Sequence, residues 1–144
     1  MSGYQHILWA TDLFDENVMV GERAAALAQH YCARLSLLHV VDNLPLYFGH
    51  EMVVPDTEKI EQMLESKAKE KIATFAARIG IDEADAHVEV DMVKLGILSF
   101  AEQHHVDLIV MGSHSRKGIA HLLGSTTRAV LDSASCDVLA VRMR

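Results

Sequence analysis

The chain has 144 residues, half of them hydrophobic, and a formal net charge of −7 at pH 7. This length and apolar content predict one globular domain, residues 1–144, with a core of ordinary size. The acidic balance argues against a nucleic-acid-binding protein, because such proteins depend on cationic contacts to phosphates. The sequence contains no apolar run of membrane-spanning length and no recognisable signal peptide, so a cytoplasmic protein that does not bind membranes is expected.

Hydrophobic periodicity predicts five strands that alternate with four helices. The predicted strands are 4–10, 35–41, 86–93, 106–111 and 137–143. The predicted helices begin at Asp15 or Glu16, at Asp56 or Thr57, at Gly96 and after the glycine-rich segment, in the pattern through Val130 and Leu131. This alternation predicts an α/β fold, a three-layer sandwich around a mostly parallel five-stranded sheet.

The second predicted helix carries a long apolar stripe and should end at Gly80. The stripe recurs at helical spacing, which predicts that all its members face the core: Ile60, Met63, Leu64, Ala68, Ile72, Phe75 and Ile79. The segment before this helix, residues 42–55, is predicted to be a long loop, and loops of this length often have a function. The two cysteines, Cys32 and Cys136, show no metal-ligand spacing and are expected to be reduced, buried thiols.

Residues 111–127, which read MGSHSRKGIAHLLGSTT, are the most informative part of the chain. They lie between a predicted buried strand and a predicted helix and combine glycines with hydroxyl side chains. Between Leu108 and Leu131 there is no Asp or Glu, whereas Arg116, Lys117 and Arg128 are present. A strand, a glycine-rich turn and a helix N-terminus together form an anion site, usually for phosphate. Taken alone, so loose a glycine-rich loop is more often structural.

Three predicted strand ends are expected to converge, namely those at Asp12, at residues 40–42 and at Gly112. In doubly wound sheets the ligand binds beyond the carboxyl ends of the strands, where the strand order reverses. These segments therefore predict a nucleotide site. Asp12 and His39 also have purely structural interpretations. Asp12 could simply cap the following turn. His39 lies within an apolar strand and is expected to be a core histidine whose hydrogen bonds are satisfied within the protein.

Four motifs together resemble the universal stress protein family: ILWATD at 7–12, LLHVVD at 37–42, DLIVMGSH at 107–114 and LLGSTTRAVL at 122–131. The resemblance covers essentially the whole chain. It implies a Rossmann-like fold of the adenine-nucleotide α-hydrolase type, a homodimer and, in the ATP-binding members, a nucleotide site.

By this resemblance, Asp12 and Val40 would contact adenine. Ribose and phosphates would be surrounded by Gly112, Ser113, His114, Ser115, Gly124, Ser125 and Thr126. The ATP-binding members resemble the pattern G-x2-G-x9-G-[ST], but here Ser115 replaces the second glycine and eight residues separate it from Gly124. A shortened loop that keeps Gly124 and Ser125 resembles a subgroup that still binds nucleotide. The expected ligand is ATP, with Mg²⁺ carried on its phosphates and no metal site of the protein's own.

Three functions fit this expectation: a nucleotide-binding regulatory protein, a slow ATPase or autophosphorylating protein, and a stress-linked interaction module with an empty site. Phosphoryl transfer needs an oriented nucleophile and a metal held by carboxylates. The loop contains no acid and no Walker A lysine, so no catalytic residue is predicted and the enzyme is the least favoured function. The apolar final strand, 137–143, is predicted to be an edge strand that pairs with a second copy in a homodimer.

Overall fold

The computed structural model describes residues 3–43, 57–113 and 124–143. The strands are β1 (His6–Ala10), β2 (Arg34–Asp42), β3 (Ala86–Asp91), β4 (Leu108–Gly112) and β5 (Asp137–Val141). The α-helices are α1 (Val18–Tyr31), α2 (Thr57–Ile79), α3 (Val93–Gln103) and α4 (Ser125–Ser133). Short 3-10 turns at Asp15–Asn17 and Glu83–Asp85 precede α1 and β3. The predicted order of strands and helices is confirmed.

The five strands form one sheet in the order β3-β2-β1-β4-β5, and all four neighbouring pairs are parallel. From β1 the chain proceeds outward to β2 and β3, and it then returns to the other side of β1 for β4 and β5. The strand order therefore reverses between β1 and β4. At such a point the connections leave in opposite directions and open a crevice at the carboxyl ends of the strands.

Each face of the sheet is covered by two helices, which gives the predicted three layers. Alternate residues of β1 enter opposite cores, because side chains alternate across a strand. Ile7 and Trp9 pack with α1 and α2, whereas Leu8 packs with α3 and α4. Gly21 of α1 lies over the indole of Trp9, and a Cβ at this position would come within 2.4 Å of that ring.

The apolar stripe of α2 is only half buried, contrary to the prediction. Its later members, such as Ile72 and Phe75, lie in the core, but Ile60, Met63 and Leu64 are 48%, 54% and 46% exposed. A helix of 23 residues is about 35 Å long, whereas a strand of six residues spans about 20 Å. The first turns of α2 therefore extend beyond β3, where the described residues place no core against them.

Two further sequence predictions concern exposure. Cys32, the C-cap residue of α1 with φ 54°, is exposed, and Cys136 is half-buried, so neither is the buried thiol that was predicted. Both are free.

Strand β5 lies at the edge of the sheet, as predicted. Among the described helices, none is long and apolar enough to span a membrane. The predicted 42–55 loop lies mostly outside the described residues.

Candidate functional site at the switch point of the sheet

A cleft of about 200 Å³ lies at the carboxyl ends of β1, β2 and β4, where the strand order reverses. The described residues that line it come from these strand ends and from the N-termini of α3 and α4: Ala10, Thr11, Asp12, Asn17, His39, Val40, Val93, Ile97, Met111, Gly112, Gly124, Ser125, Thr126 and Thr127. Its walls are mainly apolar, and its polar side chains come from the exit of β1, from His39 of β2, from Asn17 and from the start of α4.

Six of the nine sequence-predicted site residues line this cleft: Asp12, Val40, Gly112, Gly124, Ser125 and Thr126. Ser113 follows Gly112 but does not line the cleft. Its N–H donates to Val141 O at 2.7 Å, and its hydroxyl accepts from Met143 N–H at 3.2 Å. His114 and Ser115 lie outside the described residues.

The exit of β1 is a tight turn that presents Asp12 to the cleft. Leu13 adopts a left-handed conformation with φ 68°, which is unfavourable for a residue with a Cβ. Two side chains stabilise this turn: Thr11 Oγ1 accepts from Leu13 N–H at 3.0 Å, and Asp12 Oδ1 accepts from Phe14 N–H at 3.0 Å. Asp12 therefore caps the turn, as the alternative interpretation predicted, and it also lines the cleft.

Burial raises the pKa of Asp12 above its ordinary value, although the hydrogen bond from Phe14 and the nearby His39 act in the opposite direction. A carboxylate that is partly removed from water interacts more strongly with a hydrogen-bond donor than an exposed one does. Asp12 is therefore suited to accept a hydrogen bond from a ligand in the cleft.

His39 stands beside Asp12, at the end of β2. Its Nδ1 lies 2.8 Å from the carbonyl oxygen of Thr11. Because a carbonyl only accepts, Nδ1 carries the proton and donates to Thr11 O. Burial lowers the pKa of His39, while the Thr11 carbonyl and the charge of Asp12 oppose this effect. The ring is therefore neutral near pH 7. The predicted hydrogen-bonded histidine is confirmed, but His39 is only partly buried and lines the cleft rather than the core.

The apolar wall of the cleft is formed where α3 packs closely on β2. Gly96 makes this approach possible, because a Cβ on it would lie 2.8 Å from a methyl group of Val40. Val93 and Ile97, on either side of Gly96 in the sequence, both line the cleft together with Met111 from β4. A flat apolar group such as a heterocyclic base fits a wall of this kind.

The N-terminus of α4 also lines the cleft. Gly124 is the N-cap residue and offers no side chain to the first backbone N–H groups of the helix. Thr127 Oγ1 donates to Gly112 O at 2.8 Å, a buried bond that fixes the helix start against the end of β4. N–H groups in the first turn of a helix have no intrahelical acceptor and favour an anion.

Gly112 has a structural role that the sequence did not reveal. A Cβ on Gly112 would lie 2.3 Å from Met143 Sδ and 3.1 Å from Asn17 Nδ2. Asn17 in turn accepts a hydrogen bond from Trp9 Nε1 at 2.8 Å, which connects this part of the cleft to a core residue. Gly112 thus accommodates the residues that follow β5 as well as any ligand.

Sequence reasoning missed part of the cleft, chiefly Asn17, Val93, Ile97 and Thr127. Val93 was assigned to the end of a strand, but it is the first residue of α3. Val93 lies at a strand-to-helix junction, one turn before Gly96, and this position could have indicated that it belongs to the site. Asn17, which precedes α1 in a 3-10 turn, carried no recognisable signal.

The described residues contain no group of three or more His, Cys, Asp or Glu side chains that could hold a metal ion. The acid-base groups of the cleft, Asp12 and His39, belong to the β1 and β2 end, and the uncapped N–H groups belong to the α4 end. The arrangement is therefore suited to recognise a ligand that combines a hydrogen-bonding heterocycle with an anion.

A family model described as the universal stress protein family matches residues 3–142. The chain is 40% identical over 146 residues to universal stress protein A homolog 2 of Coxiella burnetii, with 100% of this chain and 99% of that protein covered. Among solved structures it is similar to universal stress protein UspA from Lactobacillus plantarum, with 26% identity, a TM-score of 0.76 and coverage of 99% and 100%. It also shares the fold of a universal stress protein in complex with cAMP, with 22% identity, a TM-score of 0.59 and coverage of 97% and 98%. The chain belongs to the universal stress protein family.

Proposed function

We propose that this protein binds ATP in the switch-point cleft and acts as a nucleotide-dependent regulatory protein of the cytoplasmic stress response. The observation that carries the proposal is that Asp12 and the N-terminus of α4 both line one mainly apolar cleft. A universal stress protein with this fold is known in complex with cAMP, so an adenine nucleotide is the ligand of one such protein.

The cleft fits an adenine nucleotide at both ends. An adenine ring would lie on the wall formed by Val40, Val93 and Ile97, and its exocyclic amine would donate to the carboxylate of Asp12. The phosphates would accept hydrogen bonds from backbone N–H groups at Ser125 and Thr126, with Mg²⁺ carried on the phosphates. By the family resemblance, His114 and Ser115, which lie outside the described residues, would complete the phosphate loop.

A regulatory role is preferred to an enzymatic one because of where the ionisable groups lie. Asp12 and His39 are at the base end of the cleft, whereas a phosphoryl transfer would need a base and metal ligands beside the phosphates. The described start of α4 offers only backbone N–H groups and the hydroxyls of Ser125 and Thr126. These groups bind an anion but do not activate a nucleophile.

Calorimetric titration with ATP and Mg²⁺, ADP and AMP in parallel tests the proposal on the wild type and on Gly124→Val. Gly124 has φ −63° and ψ 154°, a conformation open to any residue, so valine should leave the fold intact while its side chain obstructs the phosphates. Ser133→Val, at the exposed far end of the same helix, is the matched control. We expect saturable ATP binding that is lost in Gly124→Val and retained in Ser133→Val. Absence of binding to the wild type, or equal binding by Gly124→Val, would contradict the proposal.

We further propose that the protein is a homodimer in which β5 of each copy pairs with β5 of the other. Strand β5 is an edge strand, and one row of its backbone groups faces away from β4. An exposed apolar edge is a template for a second strand, and a two-fold axis would satisfy both copies at once.

A further inference from the structure

We infer that His39 is a positioning residue that sets the preference of the cleft for adenine over guanine, through its hydrogen bond to the carbonyl of Thr11. This inference rests on the proposed nucleotide site and adds to it the group that controls base recognition.

The hydrogen-bond ladder between β1 and β2 ends at Thr11. The last paired residues are Ala10 and Leu38, and Thr11 N–H donates to Leu38 O at 2.9 Å. In a parallel ladder every second residue of a strand bonds to the same neighbour. If β1 continued, the carbonyl of Thr11 would therefore accept from the N–H of Val40.

The carbonyl of Thr11 accepts from the ring of His39 instead, with Nδ1 at 2.8 Å. Asn43 N–H donates to Asp91 O, so by the same alternation Asn43 faces β3 and the Val40 N–H faces the β1 side. Among the described backbone groups of β1, none accepts from Val40. The imidazole thus occupies the acceptor that would otherwise pair with the Val40 N–H, and Val40 lines the cleft.

The same bond holds the turn that carries Asp12. Thr11 uses its N–H, its carbonyl and its hydroxyl in hydrogen bonds, and the turn that follows contains Leu13 at φ 68°. A turn in this conformation persists only while its surroundings hold it. The His39 ring is a hydrogen-bond donor from a neighbouring strand, so it fixes the position of Asp12 relative to β2.

The cleft is thus lined by a residue with an unused donor, the Val40 N–H, and by one with an acceptor, the Asp12 carboxylate. Adenine presents the complementary pair on its Watson–Crick edge, an acceptor at N1 and a donor at the exocyclic amine. Guanine presents the reverse, a donor at N1 and an acceptor at O6, and would place O6 against a carboxylate. A site built from buried hydrogen-bonding groups discriminates strongly, because the wrong ligand leaves them unpaired.

The experiment measures the affinities of the wild type, His39→Leu and His39→Asn for ATP, GTP and inorganic tripolyphosphate at pH 7.5. Leucine removes the donor, so Thr11 O becomes available to the Val40 N–H and the Asp12 turn loses its support. Asparagine places an amide N–H near the position of Nδ1 and should restore the bond. Tripolyphosphate, which has no base, reports on the α4 end alone.

We expect the wild type to prefer ATP over GTP and His39→Leu to lose about fivefold of that preference, the value of one typical hydrogen bond. Tripolyphosphate affinity should change by less than about twofold, and His39→Asn should recover most of the preference. An unchanged ATP preference in His39→Leu would overturn the inference, and so would an equal loss of ATP and tripolyphosphate binding, which would indicate a structural role only. A wild type that binds no nucleotide would instead overturn the proposed function, and the inference with it.

A measurement on the wild type alone covers the case in which His39→Leu does not fold. The ring ¹⁵N shifts of His39 at pH 7.5 should show a neutral imidazole protonated at Nδ1. A ring protonated at Nε2 could not donate to Thr11 O and would overturn the inference.

Discussion

Asp12, a proposed ligand contact, lowers the stability of the folded state at neutral pH. Its carboxylate is partly buried, and burial raises its pKa. A group whose pKa is raised on folding contributes stability that is present below its unfolded pKa and is lost as the pH rises through the folded pKa. At pH 7 the ionised carboxylate is therefore a net cost to the folded state, which the ligand would offset by donating a hydrogen bond.

We predict that Asp12→Asn raises the free energy of unfolding at pH 7 and abolishes the preference for ATP over GTP. The asparagine oxygen can still accept from Phe14 N–H, so the turn is kept while the charge is removed. Urea denaturation at pH 7 and pH 4 measures this effect, and the gain should shrink at the lower pH. The exposed Asp15→Asn is the control, with a change within about 0.5 kcal/mol, because its ion pair with Lys71 lies at the surface. A lower free energy of unfolding for Asp12→Asn at pH 7 would contradict the prediction. It would show that the charged carboxylate stabilises the turn by more than its burial destabilises the fold.

Helix α3 connects the cleft to a cluster of histidines at its other end. Val93 and Ile97, in its first turns, line the cleft, whereas Phe100 and His104, further along, pack against His87 of β3. His87 Nε2 is buried and, among the described residues, has no hydrogen-bond partner. Burial is the main cause that lowers the pKa of His87, and His104 and Arg34 act in the same direction, while Asp85 and Glu89 oppose them.

We predict that acid weakens the packing of α3 on β3 through His87. Because its folded pKa lies below the ordinary value of 6.5, its contribution to stability is full above that pH and is lost as the pH falls below it. The free energy of unfolding between pH 7.5 and pH 5 should therefore decline less steeply in His87→Phe than in the wild type. The pKa of His39 is also lowered, so the free energy of unfolding should still decline somewhat with falling pH in both proteins. The exposed His30→Gln should follow the wild type, and a wild-type slope in His87→Phe would contradict the prediction.

The elements were predictable from the sequence where periodicity and length agreed. The buried strands β1, β2 and β4 read as short apolar runs, and α1 and the second half of α2 show the spacing of one buried face. The first turns of α2 show the same spacing, but their apolar residues are exposed. Periodicity shows which residues share a face of a helix, but it does not show how far the sheet extends beneath that face. The half-exposed pattern of β3 likewise concealed that α3 covers its His87 side.

The position of the site was predictable, but the interactions within it were not. Strand ends and the order of strands and helices placed Asp12, Val40 and Gly124 at one crevice. The role of His39 depends on its ring turning back to the carbonyl of a neighbouring strand, and no local pattern encodes a contact across 28 residues of sequence. Ser113 shows the opposite case, because its hydroxyl suggested a ligand contact and accepts from the N–H of Met143.

At the scale of the whole molecule, β5 is an edge strand among the described residues, and the proposed dimer can be tested there. Val141 O accepts from Ser113 N–H, so by the alternation of a parallel ladder Val141 and Leu139 bond to β4, while the N–H groups of Val138 and Ala140 face outward. Ala140→Pro should remove an outward donor and yield a folded monomer, because proline is tolerated at a sheet edge where its nitrogen faces solvent. Leu139→Pro, which breaks the bond to β4, should destabilise the fold itself.

Light scattering measures the molar mass of both variants and the wild type over a range of concentrations, and circular dichroism reports their folding. A wild type that is monomeric throughout, or an Ala140→Pro variant that remains dimeric, would contradict pairing through β5.

The indole of Trp9 has a consequence for observing this molecule. It is the single tryptophan of the chain, it is fully buried, and it stacks on Phe75 with the ring centroids 5.8 Å apart. Its Nε1–H donates to Asn17, a residue that lines the cleft and touches the Gly112 end of β4. One hydrogen bond therefore separates an intrinsic fluorophore from a residue that lines the cleft, and we expect a ligand that moves Asn17 to change the emission of Trp9 without any attached label.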